Sequence, residues 1–451
     1  MVILGLARQG MALARFLVER GARVVISDMQ PREKLAEECA ALEGLPITYA
    51  LGGHPESILA DADLLCISGG VPLVIPIIAA ARSQGIPLSN DAQIFMARCP
   101  APVIGITGSA GKTTTTTLLG KIAVEAAAER GCRAFVGGNI GRPLINDLEE
   151  IKPDDFVVME LSSFQLELMT VSPHIAAVLN VTPNHLDRHG TMEAYSAAKS
   201  RILKYQTAED VAILGRDDPG AWALQPEVRG RLLTFGKHAP TGVDGVFLDG
   251  EMLTLLQSGR EQALCNRSDI HLRGEHNLLN VMAACALAAA AGISRDAMQR
   301  GIRDFTGVPH RLELVRRLDD VDWYDDSIAT TPERSIAAMR SFEQPIVLLA
   351  GGRDKNLPWD TFAREAGRRV HHIILFGEAS DKIRTAVEAE QHKPRIAGVL
   401  QADDLADAVQ AAHGVAQAGD VVLLSPGGTS YDAYKDFEER GEHFRRMVKA
   451  L

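Results

Sequence analysis

Short apolar runs punctuate the chain at nearly regular intervals. Val2-Ile3-Leu4, Val24-Val25-Ile26 and Leu64-Leu65-Cys66-Ile67 each reach a glycine or an acid within two residues and then give way to an amphipathic stretch. That alternation of short strand and helix is the signature of a parallel sheet built from βαβ units. It resumes at Val103-Ile104-Gly105-Ile106, at Phe156-Val157-Val158-Met159 ending in Glu160, and at Ala176-Ala177-Val178-Leu179 ending in Asn180. Helical spacing follows from about Met192, on a run that carries Lys199, and again over 277–291. A third set of strands, 346–350, 373–376 and 421–424, ends each time in glycine or serine.

One junction carries chemistry of its own. The strand ending at Ile106-Thr107 leads into Gly108-Ser109-Ala110-Gly111-Lys112-Thr113-Thr114, and Leu118 and Leu119 then fall where a helix would bury them. Strand, glycine turn, Lys-Thr and helix make a phosphate-binding loop. Gly108 and Gly111 let successive N–H groups point inward, and the helix aims its positive end at the same place. Lys112 supplies a point charge for terminal phosphates and Thr113 a hydroxyl for Mg²⁺. Counted from Gly105 the spacing is Gly-x5-Gly-Lys-Thr, a variant of the usual Walker form; the alternative is a glycine-rich turn with an exposed lysine. Glu160 ends a neighbouring strand and so faces the crevice where open α/β sheets bind ligands. The expected fold is α/β in three domains: a Rossmann-like domain over 1–98, a central P-loop ATPase-like parallel sheet over 99–305, and a second Rossmann-like domain over 306–451.

Length and charge narrow the function. The 451 residues suit two to four domains, and 46% hydrophobic against 23% charged residues is ordinary for a globular chain. A net charge of −11 argues against bulk attraction to nucleic acid or anionic membrane, so an anionic ligand must be met by local sites. The six cysteines stand singly without metal spacing and read as reduced thiols of a cytoplasmic protein. Val2-Ile3-Leu4 follows Met1 at once, which leaves no room for a signal peptide, and the longest apolar helical run, 281–291, is shorter than the roughly 18 residues a membrane span needs. After the first strand, Gly5-Leu6-Ala7-Arg8-Gln9-Gly10 with Asp28 imitates a dinucleotide fingerprint with alanine at the middle glycine. NAD(P), another nucleotide such as a uridine diphosphate, and a purely structural turn all remain open on those residues alone.

Longer motifs add a resemblance. Glu160-Leu161-Ser162-Ser163-Phe164-Gln165, the run Asn180-Val181-Thr182-Pro183-Asn184-His185-Leu186-Asp187-Arg188-His189-Gly190-Thr191, Ala197-Ala198-Lys199 and Gly274-Glu275-His276-Asn277 are similar to the central motifs of the Mur ligases. His310-Arg311 and Asp326-Ser327-Ile328-Ala329-Thr330 resemble their third-domain motifs, so the likeness covers essentially the whole chain. The tail, Ser425-Pro426-Gly427-Gly428-Thr429-Ser430-Tyr431 through Phe437, resembles the branch of the family that adds D-glutamate, and the Asn-Pro-Arg motif of the diaminopimelate-adding branch is missing.

The resemblance implies an ATP-dependent ligase that joins D-glutamate to UDP-N-acetylmuramoyl-L-alanine through an acyl phosphate, acting as a monomer with no nucleic acid and no membrane insertion. ATP would be held by Gly108, Gly111, Lys112, Thr113, Thr114, Asn277, Arg311 and Asp326, and the UDP substrate by Asn139, Ser162 and His185. D-Glutamate would fall to Thr330, Lys355, Ser430, Tyr431 and Phe437. Lys112, Glu160, His185 and Lys199 are the implied catalytic set, with Thr113, Glu160, His185 and Lys199 as Mg²⁺ ligands. Lys199 is expected as a carbamate, because an ammonium cannot ligate a cation. Blander roles stand beside these: a turn residue for Asn139, a surface ion pair for Arg311, a helix N-cap for Ser430. Asn184 stands where the family usually has an acid, Ile328 where a lysine is common, and Arg8-Gln9 and Met29-Gln30 depart from one form of the uridine-binding segment. A non-catalytic nucleotide-binding regulator is the competing class. Retention of Lys112, Glu160, His185 and Lys199 argues against it.

Overall fold

The computed structural model describes residues 1–272, 274–354, 357–390 and 396–451, which form two compact units, Met1–Phe305 and Thr306–Leu451. In the first unit, strands β1 (Val2–Leu4), β2 (Val24–Asp28), β3 (Ile47–Leu51), β4 (Leu65–Ile67) and β5 (Leu88–Ser89) form a parallel sheet in the order β3-β2-β1-β4-β5. A second sheet follows from β6 (Val103–Thr107), β7 (Ala134–Gly138), β8 (Phe156–Glu160), β9 (Ile175–Val178), β10 (Val211–Gly215), β11 (Arg231–Phe235), β12 (Asp244–Asp249), β13 (Met252–Gln257) and β14 (Arg260–Asn266). Its order is β14-β13-β12-β11-β10-β9-β6-β8-β7, parallel from β7 to β12 and closed by an antiparallel meander at one edge.

Both sheets put a crevice where the direction of winding changes. In the first, β1 lies between β2 and β4; in the second, β6 lies between β8 and β9. Ligands of open α/β sheets bind outside the carboxyl ends of such strands. At the first crevice, helix Arg8–Glu19 crosses so close to the turn before it that a Cβ on Gly10 would lie 2.0 Å from the Gly5 carbonyl oxygen, so only glycine fits. At the second, helix Lys112–Arg130 leaves the phosphate loop and packs beside helix Glu275–Ala290. That second helix is apolar on nearly every side, as a helix enclosed by protein must be. The two sheets share a continuous apolar core that includes Ile3, Phe95, Val157 and Leu214. Reciprocal bonds between Gln93 and Thr170 (Nε2 to Oγ1 3.0 Å, N–H to Oε1 2.7 Å) and an Asn90 amide donating to Gln165 O at 2.8 Å tie them further.

The second unit contains β15 (Glu313–Leu318), β16 (Val321–Asp325), β17 (Ile346–Gly351), β18 (Val370–Phe376), β19 (Gly398–Gln401) and β20 (Val421–Gly427), ordered β15-β16-β20-β17-β18-β19 and parallel except for the β15–β16 hairpin. Its functional edge is pinned by an arginine with no exposure. Arg440 Nε donates to Ser327 Oγ at 3.0 Å, Nη2 to Ser327 O at 2.9 Å, and both terminal nitrogens to Gly428 O at 3.3 Å. Burial pulls its pKa down to about 10, with Asp432 and Asp325 opposing, so it is charged at neutral pH. The loop after β16 and the loop after β20 are thereby fixed to one side chain. Among the described residues no helix is long and apolar enough to cross a membrane.

Arg440→Met should leave those carbonyls unpaired and destabilise the second unit by at least about 2 kcal/mol, the scale of hydrogen bonds from a charged group. Trp323 and Trp359 lie in this unit and would report its urea transition by fluorescence. An unchanged midpoint would show that Arg440 is not the pin.

Candidate active site

The phosphate loop is held by its neighbours rather than by itself. Gly111 sits at φ +81°, and a Cβ there would come within 2.2 Å of Asn280 Oδ1, so both conformation and space demand glycine. From the segment after β9, Asn180 grips the loop by three bonds: Ser109 N–H to its carbonyl at 3.0 Å, Ala110 N–H to Oδ1 at 2.8 Å, and its own Nδ2 to Ala110 O at 3.1 Å. Ser109 Oγ donates to Thr182 O at 2.9 Å. From helix Glu275–Ala290, Asn280 lies 3.5 Å from Thr115 Oγ1 and donates to Asn277 Oδ1 at 3.1 Å. Asn277 thus reaches the loop through Asn280. Thr113 is half-buried and Thr114 buried in the first turn of the helix, where free N–H groups favour an anion.

Two lysine side chains converge on one carbonyl. Lys112 Nζ and Lys199 Nζ each donate to Gly108 O at 2.8 Å. Lys199 is 1% exposed and sits 4.7 Å over the ring of Tyr195, whose hydroxyl donates to Ser109 Oγ at 3.0 Å. Burial, and then the charge of Lys112, pull its pKa down to about 6 against the opposing pull of Glu160. At neutral pH this lysine is largely a neutral amine.

Glu160, at the end of β8, is 1% exposed. Its Oε1 accepts from Asn139 Nδ2 at 2.9 Å, while Oε2 is buried with no hydrogen bond among the described residues. A buried carboxylate oxygen without a partner is costly and calls for a ligand. With the Thr113 hydroxyl it offers the hard oxygen donors that Mg²⁺ prefers, so these residues fit that ion. His185 stands at φ +53° in the exposed loop after β9, its ring 5.2 Å from Phe164. Phe164 stacks face to face on His189, which leans on Tyr195, so an aromatic row joins the neighbourhoods of His185 and Lys199. Asn180, Asn280, Tyr195 and His189 were not singled out from the sequence. Only Asn180 carried a signal, as the last residue of a strand beside the loop.

The first crevice opens into a cavity of about 760 Å³ lined by Arg8, Asp28, His54, Ser68, Val71 and Asn139 among others. Asp28 uses both oxygens on backbone, accepting from Leu6 N–H at 2.7 Å and Gln30 N–H at 2.8 Å, and so fixes the turn. His54 Nδ1 lies 2.8 Å from Ser27 Oγ; burial lowers its pKa against Asp28. Arg8 Nη2 donates to Asn139 O at 3.3 Å, and Asn139 in turn holds Glu160. Asn139 therefore does more than form a turn. Ser162 caps helix Ser163–Leu166 in a reciprocal box with Gln165.

In the second unit, Asp326 follows β16, accepts from Ser425 Oγ at 2.8 Å and Leu312 N–H at 3.3 Å, and is pushed up to about 7 by burial. Arg311 is exposed, and Thr330 N–H donates to Ile328 O at 2.9 Å. Ser430 is buried and its carbonyl closes a turn by accepting from Ala433 and Tyr434. It is not a helix N-cap: helix Phe437–Ala450 begins later and is capped by Asp436. Phe437 O accepts from Ser327 Oγ at 2.8 Å, and Tyr431 is 61% exposed. Lys355 lies outside the described residues.

Comparison with known proteins agrees with this geometry. The profile of the MurD-like N-terminal Mur ligase domain matches residues 1–90, that of the Mur ligase middle domain residues 106–288, and that of the Mur ligase glutamate ligase domain residues 310–428. A UDP-N-acetylmuramoylalanine--D-glutamate ligase from Symbiobacterium thermophilum is 44% identical over 100% of this chain and 97% of its own. One from Pelotomaculum thermopropionicum is 40% identical over 100% and 97%. Among solved structures, the UDP-N-acetylmuramate-alanine ligase of Thermotoga maritima superposes with a TM-score of 0.57 at 18% identity over 100% of this chain and 99% of that one. The MurF ligase of the same organism, in complex with ADP, gives 0.54 at 19% over 95% and 96%. With three matched domains, full-length relatives at 40% and 44% identity and the fold shared with solved ligases, the chain belongs to the Mur ligase family.

Proposed function

We propose that this chain is the ATP-dependent ligase that joins D-glutamate to UDP-N-acetylmuramoyl-L-alanine in peptidoglycan precursor synthesis. The observation that carries the reading is the pairing of Lys112 and Lys199 on Gly108 O beside the unpartnered Glu160 oxygen. The names of the full-length relatives support the choice of amino acid. We divide the work as 1–98 for the UDP substrate, 99–305 for ATP and 306–451 for the amino acid.

Chemically, an oxygen of the substrate carboxylate attacks the γ-phosphorus of ATP, the bond to ADP breaks, and an acyl phosphate forms. The amine of D-glutamate then attacks the acyl carbon, phosphate leaves with the bonding electrons, and the amine gives up a proton. Lys112 and the N–H groups of 108–114 stabilise charge on the transferring phosphoryl group, where such reactions gain most of their rate. Asn277, through Asn280, keeps the loop in place. Thr113 and Glu160 would hold one Mg²⁺ and His185 and Lys199 a second. Bound there, Mg²⁺ neutralises phosphate charge. Asn139 orients Glu160 by taking one of its oxygens. Asn139, Ser162 and His185 face the UDP substrate, with Arg8 held beside Asn139; Arg311 and Asp326 serve the nucleotide; Thr330, Lys355, Ser430, Tyr431 and Phe437 receive D-glutamate. Lys199 adds to CO₂ through its neutral amine, loses a proton and becomes an anionic oxygen donor.

Lys112→Ala should reduce phosphate release by roughly 10²-fold or more, the scale of a lost transition-state charge partner, with an unchanged circular dichroism spectrum. Near-native turnover would remove the loop from the ATP site.

Lys199 sets a second expectation, with a definite sign. Its folded pKa, about 6, lies below the ordinary lysine value, so between those two pH values the unfolded chain binds the extra proton. Stability of the unmodified, ligand-free protein should therefore rise with pH above 6, with no further contribution below it. Lys199→Met should abolish that slope and raise the urea midpoint at pH 7 while being inactive. Lys199→Arg should be inactive as well, and CO₂ depletion should slow the wild type reversibly. An active Lys199→Arg enzyme would rule out the carbamate.

A further inference from the structure

Several arginines of the second unit are neutralised on the spot. Arg353 forks onto Glu378 with Nε and Nη2 each at 3.1 Å, and Arg340 and Arg369 share Glu365 at 2.7 and 2.6 Å. Arg353 is therefore committed to its own glutamate and cannot stand in for the cation missing at Ile328.

Arg334 behaves differently. It lies in the first turn of helix Pro332–Met339, where a positive charge opposes the helix dipole. Its Nη1 donates to Ile328 O at 3.1 Å, and among the described residues its guanidinium makes no other hydrogen bond and no ion pair. One of five donors is used. Ile328 N–H in turn donates to His310 O at 3.2 Å, so the loop that Arg334 grips rests against the residue preceding Arg311. The Arg311 side chain is exposed and makes no hydrogen bond or ion pair among the described residues. Arg334 too is open to solvent, yet surrounding protein and then the charge of Arg311 pull its pKa below the usual guanidinium value, with Asp326 opposing. Asp326 itself is pushed up to about 7, so near neutrality it cancels only part of the two positive charges. Two guanidinium groups facing solvent with so little counter-charge form a receptor for an oxyanion, and the planar fork suits carboxylate or phosphate.

We propose that Arg334 is a substrate-binding residue, forming with Arg311 a two-guanidinium clamp for one oxyanion of the substrates and supplying the cation that Ile328 does not. The proposal rests on the ligase reading above. A carboxylate of the amino acid and the terminal phosphate of the nucleotide share the required chemistry, and kinetics separates them.

The test uses the full chain, assayed for phosphate release with UDP-N-acetylmuramoyl-L-alanine while D-glutamate and Mg·ATP are varied in turn. Arg334→Met should raise one of the two KM values by about tenfold or more, with kcat changed less and the thermal midpoint held. A rise confined to D-glutamate assigns the carboxylate, and one confined to ATP assigns the phosphate. Arg334→Lys should fall between. Ile328→Lys, added to Arg334→Met, should recover part of the loss, because residue 328 belongs to the loop that Arg334 grips. KM values both within about twofold of wild type would overturn the clamp. So would equal losses for both substrates accompanied by a lowered melt and no recovery with lysine, the behaviour of a structural strut. Failure of the ligase reading looks different: the wild type itself would release no phosphate on addition of D-glutamate, and the clamp would fall with it.

Discussion

A single backbone oxygen, that of Gly108, receives two lysine Nζ groups at 2.8 Å each. Two like charges at one acceptor would repel, and one of the two side chains, Lys199, is enclosed as well. The arrangement is stable only because the second lysine surrenders its proton easily and because everything around the carbonyl is fixed. Asn180 holds Ala110 from one side, Asn280 fills the space beside Gly111 from another, and Tyr195 closes the floor through Ser109. Each of those residues comes from a different part of the second sheet or its helices. Much of the central fold is thus a frame that sets the direction of one peptide plane.

Much of this frame was legible, and the reasons differ by element. Strands buried on both faces, such as β6, β8, β17 and β20, are continuous apolar runs and announced themselves. Strands β3, β14 and β15 are half-exposed or lie at an edge, so polar residues interrupt their apolar positions and no run appears. The α/β class and its parallel sheets could be read from the first group alone. The meander β12–β14 could not. Lys112 and Glu160 stood out because function in such sheets collects at strand ends. Asn280 did not, because its role depends on a helix 165 residues from Thr115 returning to the loop. Ser430 illustrates the opposite error: a serine before a helix suggested a cap, but a turn intervenes and Asp436 takes that role.

The second unit solves a comparable positioning problem with different means. Its loops after β16 and β20 carry glycine and serine, which give little side-chain packing, and the buried Arg440 replaces packing with four hydrogen bonds to Ser327 and Gly428. Ser327 Oγ passes the constraint on to Phe437 O at 2.8 Å. A charge without exposure normally needs a carboxylate partner. Here carbonyl and hydroxyl oxygens take its donors, while Asp432 and Asp325 act at longer range.

That choice of partner is common in the chain, as in Arg201 on Met169 O and Arg316 on Val448 O, and it recurs where anions are to be bound. Lys112 is held by Gly108 O, Arg8 by Asn139 O, and Arg334 by Ile328 O. Other cations meet carboxylates, as Arg300 does with Glu125 and Glu129. A carbonyl fixes a side chain's geometry through a dipole but leaves its full charge, whereas a carboxylate fixes the geometry and cancels the charge. In a chain of net charge −11, a site for phosphates and carboxylates must keep local positive potential against the background of the whole. Carbonyl anchoring achieves that: the cations are positioned before the ligand arrives, and their charge remains for it.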